Sequence, residues 1–282
     1  MRETFYFIRA LIIAFLYQKF LKHIFFLFDP EDVHDGMIKA GGRLGSLSLA
    51  RGLTRAAFSY SHSMLEQDIA GMHFKNPIGL AAGFDKNAQL TQILPAVGFG
   101  FEEVGSITGE YCEGNAKPRL WRHADKKSLR VYYGLKNDGA EAISKRLSKL
   151  DFQIPIGISV AKTNCAATVK TQEGIKDYVK AYRAFENIGA YTTINISCPN
   201  VFGGEPFTDV QKFEDLLSAI DKVRNKKPIF IKLSPNLSLK ELGAIATVAK
   251  KYRIDGLISS NLLKGHGLGD GGMSGKMTQQ SS

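Results

Sequence analysis

From Asn76 onward the chain repeats one pattern, a short apolar run followed by a helical stretch, and this alternation constrains the fold more than any other feature. The runs are Ile78 to Ala82, Glu103 to Ile107, Pro155 to Val160, Thr192 to Ile196, Pro228 to Leu233 and Gly256 to Ser260. Helical periodicity predicts helices at Gln89 to Val97, Ala140 to Lys149, Ile175 to Asn187, Val210 to Val223 and Leu239 to Tyr252. Strands that alternate with helices run parallel, because each crossover returns the chain to the same end of the sheet. Polar residues and glycines gather just past the runs: Gly83 and Lys86, Ser106 and Thr108, Lys162 and Asn164, Asn200, Lys232 and Ser234, Ser260 and Asn261. The carboxyl ends of parallel strands are where a (β/α)₈ barrel or a doubly wound sheet keeps its chemistry.

The chain has 282 residues, 44% of them hydrophobic, enough for one large core with a small appendage. The appendage is residues 1–60 and the α/β domain residues 61–282. In the segment Met1 to Phe28, the longest unbroken apolar run, Ala10 to Tyr17, is far shorter than the roughly 20 residues that a spanning helix needs. An amphipathic helix lying in a bilayer surface is expected, with Phe5, Ile8, Ile12, Phe15 and Leu16 buried in lipid and basic residues toward anionic headgroups, and a single short spanning helix is the alternative. Asp29 and Pro30 are expected to start a second helix that Gly41 and Gly42 end. The net charge of +10 suits an anionic partner, but its local cluster between Asn115 and Lys149 lacks the aromatic interleaving of a nucleic-acid surface, so no nucleic acid is expected. Cys112, Cys165 and Cys198 show no CxxC spacing, which argues against a disulfide framework or a metal site.

The chemistry centres on Asn195-Ile196-Ser197-Cys198-Pro199-Asn200. The two amides can each offer a donor and an acceptor to a flat heterocycle, and a thiol can take a proton from carbon once its neighbours favour the thiolate. Ala82 and Gly83 let backbone approach a planar ligand, and Lys86 adds a positive charge. Lys232 lies inside the apolar run Ile229 to Leu233, where an unpaired ammonium is expensive, so it needs an anionic partner. Two lysines at one mouth suit a flavin, with its phosphate tail and the negative charge of its reduced ring.

Taken in order, Phe74 to Lys86, Gly105 to Thr108, Lys117 to Leu120, Asn195 to Asn200, Ile231 to Ser238 and Gly271 to Gly275 resemble dihydroorotate dehydrogenase over nearly the whole chain. The apolar helices before residue 60 resemble those of its membrane-associated, quinone-reducing class. The resemblance implies an α/β (β/α)₈ TIM barrel that binds FMN and oxidises dihydroorotate to orotate in pyrimidine biosynthesis. Quinone would be the electron acceptor, and the enzyme would sit peripherally on the cytoplasmic face of a membrane. Carried over by position, Cys198 is the catalytic base. FMN is expected against Ala82, Gly83, Phe84, Asp85, Lys86, Ser106, Ser159, Asn195, Lys232, Ser260 and Gly275. The substrate is expected against Lys86, Tyr132, Tyr133, Gly134, Leu135, Asn195, Asn200 and Asn261. No metal is implied, and a homo-oligomer stays open as an assembly.

Four positions depart from the family's pattern. Cys198 resembles the soluble class, since the quinone class usually carries serine there; Val131 stands where the substrate loop usually begins with asparagine; and Ser159 and Leu262 replace a usual asparagine and threonine. The barrel would also stop after its sixth strand, which predicts an open arc with exposed edges, weakly active or unstable unless another chain completes it. The alternatives are an FMN barrel acting on a different pyrimidine, or a membrane-associated remnant that binds no flavin.

Overall fold

The computed structural model describes residues 2–282, which divide into two compact units. The first takes the chain up to Leu80 together with Gln89–Glu102 and Phe152–Pro155. It begins with helix α1 (Arg2–Leu16), which passes through a wide turn at Tyr17–Leu21 into α2 (Lys22–Phe26). The charged residues do not interrupt this helix. The stretch Glu3–Phe26, 24 residues with a mean hydropathy of 1.4 in its most apolar window, is long and apolar enough to cross a bilayer by length and composition. The Arg9 guanidinium donates to Ala56 O (2.7 Å) and Ser59 O (2.8 Å), carbonyls at the end of a later helix.

Helix α3 (Pro30–Ser46) starts as expected: Asp29 accepts from the Glu31 and Asp32 amides, and Pro30 needs no N–H in the first turn. It does not end at Gly41-Gly42. A Cβ on Gly41 would lie 2.5 Å from Leu90 Cδ2, so these glycines let the helix pack closely on the Leu90, Ile93 and Leu94 core. Helix α4 (Ser48–Phe58), which the sequence reading did not anticipate, follows directly, and the hairpin β1 (Gln67–Ile69) and β2 (Met72–Phe74) completes the segment. Strand β3 (Gly79–Leu80) pairs in parallel with the start of β4, residues Phe101 and Glu102. The helix expected over Gln89–Val97 shrinks to α5 (Leu94–Val97), because Pro95 fits only in a first turn. Replacing Gly100 with alanine would place a Cβ 2.1 Å from the Asn76 carbonyl oxygen, backbone against backbone. The variant is expected to lose about 1 to 3 kcal/mol, read as a lower melting temperature.

The second unit holds Ala81–Ala88, Glu103–Asp151 and Ile156–Ser282. Its sheet places the body of β4 (Phe101–Ile107) beside β7 (Ile156–Val160), then β8 (Tyr191–Asn195), β9 (Ile229–Lys232) and β10 (Gly256–Ile258). The pairings among the last four are all parallel, with Val160 level with Ile194 and Asn195 level with Lys232. Every residue of β7 and β8 is buried, as parallel strands covered on both faces require. Two glycines make room for aromatic rings directly across the ladder: a Cβ on Gly157 would meet the Tyr191 ring at 2.1 Å, and one on Gly256 the Phe230 ring at 2.9 Å. Helices α6 (Ala140–Leu147), α7 (Thr171–Ala184), α8 (Val210–Asp221) and α9 (Leu239–Lys251) supply the crossovers, the last opened by a capping box between Ser238 and Glu241. This is an α/β, TIM-like fold.

A separate antiparallel sheet was not foreseen. Strand β5 (Leu120–His123) pairs with β6 (Ser128–Val131), whose other edge pairs with β11 (Gly272–Gly275). The last four residues of the glycine-rich stretch Gly265–Gly275 are therefore a strand. Gly272 is tolerated there because Leu262 Cβ occupies the place its side chain would take, 2.5 Å from a built Cβ. Val131 sits level with both Leu120 and Gly272, in the middle of the three strands.

Candidate active site

A cleft of about 540 Å³, its solvent-facing mouth included, lies entirely within the second unit at the carboxyl ends of its parallel strands. Ala82, Gly83 and Lys86 follow β3; Gly105 and Ser106 end β4; Asn195, Cys198 and Asn200 end or follow β8; Lys232 ends β9; and Asn261 and Leu262 follow β10. Val131 and the loop Tyr133 to Lys136, which leave β6, form the remaining wall.

The amides of this cleft are held by one connected network. Asn195 Nδ2 donates to Ser106 Oγ (2.8 Å), which shares a hydrogen bond with Ser159 Oγ (2.7 Å). Asn195 Oδ1 accepts from the Ser197 amide (3.1 Å) and from Asn261 Nδ2 (3.2 Å), while Ser197 Oγ lies 2.8 Å from Lys232 O. Asn200 Nδ2 donates to Val131 O (2.8 Å), which joins the loop after β8 to the end of β6. Fixed amides of this kind present a rigid donor and acceptor pattern to a planar ring. Lys86 stands over the Tyr133 ring, its Nζ 3.9 Å from the centroid.

Cys198 keeps part of its surface open to the cleft, yet enough protein encloses its thiol to push it from the ordinary 9.0 up to about 11. Burial is the main cause, and the Asn200 backbone N–H and the Lys162 charge work against it. Lys232 is 7% exposed, and its ammonium makes no hydrogen bond or ion pair among the described residues. Since Lys232 also lines the cleft, its charge is available to a ligand there.

Of the residues expected at the site, the cleft brings together Ala82, Gly83, Lys86, Ser106, Tyr133, Gly134, Leu135, Asn195, Cys198, Asn200, Lys232 and Asn261. Ser159 is fully buried one hydrogen bond behind Ser106. Asp85 is fully buried, its carbonyl accepting from the Gly105 amide, while Phe84 is 41% exposed. Tyr132 donates its amide to Arg119 O, and Ser260 shares a hydrogen bond with Ser282. Gly275 lies level with Ser128 at the far end of β11. None of these six lines the cleft.

Two residues that support the site were not among those assigned to it from the sequence. Asn115 Nδ2 donates to both Tyr132 O and Asn200 O, and its Oδ1 accepts from Asn164 Nδ2. Asn164 also donates to Gly134 O and accepts from the Phe202 amide. Together they clasp the two loops that border the cleft. Asn164 carried a signal, its place just past a strand; Asn115 carried none.

The family profile for dihydroorotate dehydrogenase matches residues 64–279. A dihydroorotate dehydrogenase (quinone) of Helicobacter acinonychis is 35% identical over 95% of this chain and 76% of the relative. One of Rhizobium etli is 35% identical over 92% and 72%. Among solved structures, a ligand-free DHODH from Eimeria tenella superposes with a TM-score of 0.77 at 26% identity, covering 90% of this chain and 77% of that one. A second, in complex with ferulenol, gives 0.75 at 26% identity over 88% and 72%. With the profile spanning most of its length and relatives at this identity, the chain belongs to the dihydroorotate dehydrogenase family.

Proposed function

We propose that the chain oxidises dihydroorotate to orotate in pyrimidine biosynthesis, with FMN as its cofactor and a quinone as the electron acceptor. One observation carries this reading: a thiol, three amides and three lysines share a single cleft in a chain of this family. The residues fit FMN. Gly83, at φ +107, has nothing within 4 Å of a built Cβ, which leaves an open shelf beside the chain, and the Lys232 ammonium has no protein partner among the described residues. Lys232, Ser106, Ala82 and Gly83 would hold the group, with Ser159 acting through Ser106. Bound FMN supplies the hydride acceptor.

Asn195, Asn200 and Asn261 orient the substrate ring, Lys86 faces its carboxylate, and Cys198 Sγ takes the proton from the ring carbon next to the one that gives up hydride. The parallel strands belong to a (β/α)₈ barrel of the family type, and the Glu3–Phe26 helix supports a site at a membrane surface, where a quinone is found. Anaerobic addition of dihydroorotate to the purified flavoprotein tests the reading. The flavin's visible absorbance is expected to bleach, and a spectrum that does not change would remove dihydroorotate as the substrate.

A second reading, a related pyrimidine as substrate, rests on Val131 and Leu262, two apolar side chains lining a cleft otherwise rich in amides. A ring polar group facing them lacks a partner, at a cost of about 1 to 3 kcal/mol. Val131→Asn is therefore expected to lower KM for dihydroorotate by roughly 5- to 150-fold. An unchanged or higher KM favours the other pyrimidine.

A further inference from the structure

We propose that Lys162 is the positioning residue for Cys198: it anchors the loop that carries the thiol and supplies the positive charge against which the thiolate forms. Beside the cleft is a second, smaller space of about 220 Å³, open solvent included, lined in part by Lys162, Tyr178 and Phe207. Leu135, Asn195 and Cys198 line both spaces, so the cysteine stands between them. Lys162 is 2% exposed, and its Nζ donates to Phe202 O (2.9 Å), in the loop that Cys198 begins. Neighbouring strands bring the two together: Val160 of β7 is level with Ile194 of β8, and each residue follows a few positions past its strand.

The ammonium has three donors, and only one is taken among the described residues. The Tyr178 hydroxyl in the same cavity is committed to Asn195 O at 2.7 Å. Burial alone drives both groups toward their neutral forms, the thiol upward and the lysine downward, whereas each group's charge favours the other's. Glu205 and Cys112 oppose the Cys198 thiolate, and Asp177 and Cys165 act on Lys162 in the same direction as Cys198. Lys86, Lys136 and Lys232 line the cleft side. Lys162 is the cation that faces the thiol from within the protein.

The inference rests on Cys198 as the base only for its catalytic meaning. In that step the C–H bond would break as S–H forms at Cys198, the released electron pair would enter the new ring double bond, and FMN, where bound, would supply the acceptor for the hydride from the adjacent carbon. The thiol then returns its proton to solvent through the open mouth. The charge contact itself can be measured without substrate. The flavin-loaded protein is alkylated with iodoacetamide across pH, and Cys198 is followed by mass spectrometry separately from Cys112 and Cys165.

Lys162→Met and Lys162→Gln are each expected to raise the Cys198 midpoint by about one pH unit, which slows alkylation roughly tenfold at a fixed pH below it. Lys162→Arg is expected to keep the midpoint near that of the parent. Gln retains a donor for Phe202 O, so it separates charge from anchoring. Midpoints unchanged in the Met and Gln variants would overturn the proposal. Should both fail to fold, linkage supplies the reciprocal measurement: Cys198→Ala is expected to speed labelling of the Lys162 amine at alkaline pH, and labelling that does not change would overturn the proposal equally.

Discussion

Replacing Cys198 with alanine is expected to slow flavin bleaching by dihydroorotate about 10²- to 10⁴-fold, the range that a positioned acid–base group contributes. The coenzyme is expected to stay bound, because the network that orders Asn195 runs through Ser106, Ser197 and Asn261 without the thiol. The pH dependence follows from the thiol's surroundings. With Cys198 pushed up to about 11, the thiolate is the minor form at neutral pH. The bleaching rate of the parent protein should then climb about tenfold per pH unit below that midpoint, while the alanine variant stays flat. A parent profile that falls with rising pH, or a variant as fast as the parent, would remove Cys198 as the base.

The second large effect concerns Lys232, and its two halves have opposite signs. Lys232 is 7% exposed and its ammonium has no protein partner among the described residues, so in the flavin-free protein no opposite charge offsets the cost of its partial desolvation. Lys232→Met removes that cost and keeps the aliphatic stem, so the apoprotein should melt at a higher temperature than its parent. The same change deletes a charged hydrogen-bond donor at the proposed FMN site, worth about 1.5 to 3 kcal/mol, so FMN affinity should fall roughly 10- to 150-fold. Calorimetric melting of apoprotein and fluorescence titration with FMN read the two halves independently. A destabilised apoprotein with undiminished FMN affinity would contradict both.

The parallel strands were legible because they are buried on both faces, which writes them as apolar runs such as Ile229 to Leu233 that no surface helix would carry. Their polar ends were legible for the same reason, since a lysine inside such a run is conspicuous. The antiparallel sheet was not. Strand β5 is partly exposed along its whole length, so Leu120-Trp121-Arg122-His123 shows no alternation, and Arg130 Cζ stands over the Trp121 ring, 3.8 Å from its centroid, a pairing that hydropathy does not register. Gly272 and Gly275 resemble loop residues until Leu262 and Ser128 are seen against them. Helix α4 has no side-chain cap at Leu47, so its start carried no signal. The site followed the same rule: residues at strand ends could be read, while the Asn115 clasp depends on loops distant in sequence.

Strand β6, which delivers Val131 and the loop after it, gains one neighbour from the hairpin just before it and the other from β11, where Arg130 meets Asp270 across a sequence separation of 140. The wall that Val131 gives the cleft is therefore braced on one side by a near neighbour in sequence and on the other by Gly272–Gly275, so that wall depends on two widely separated parts of the chain.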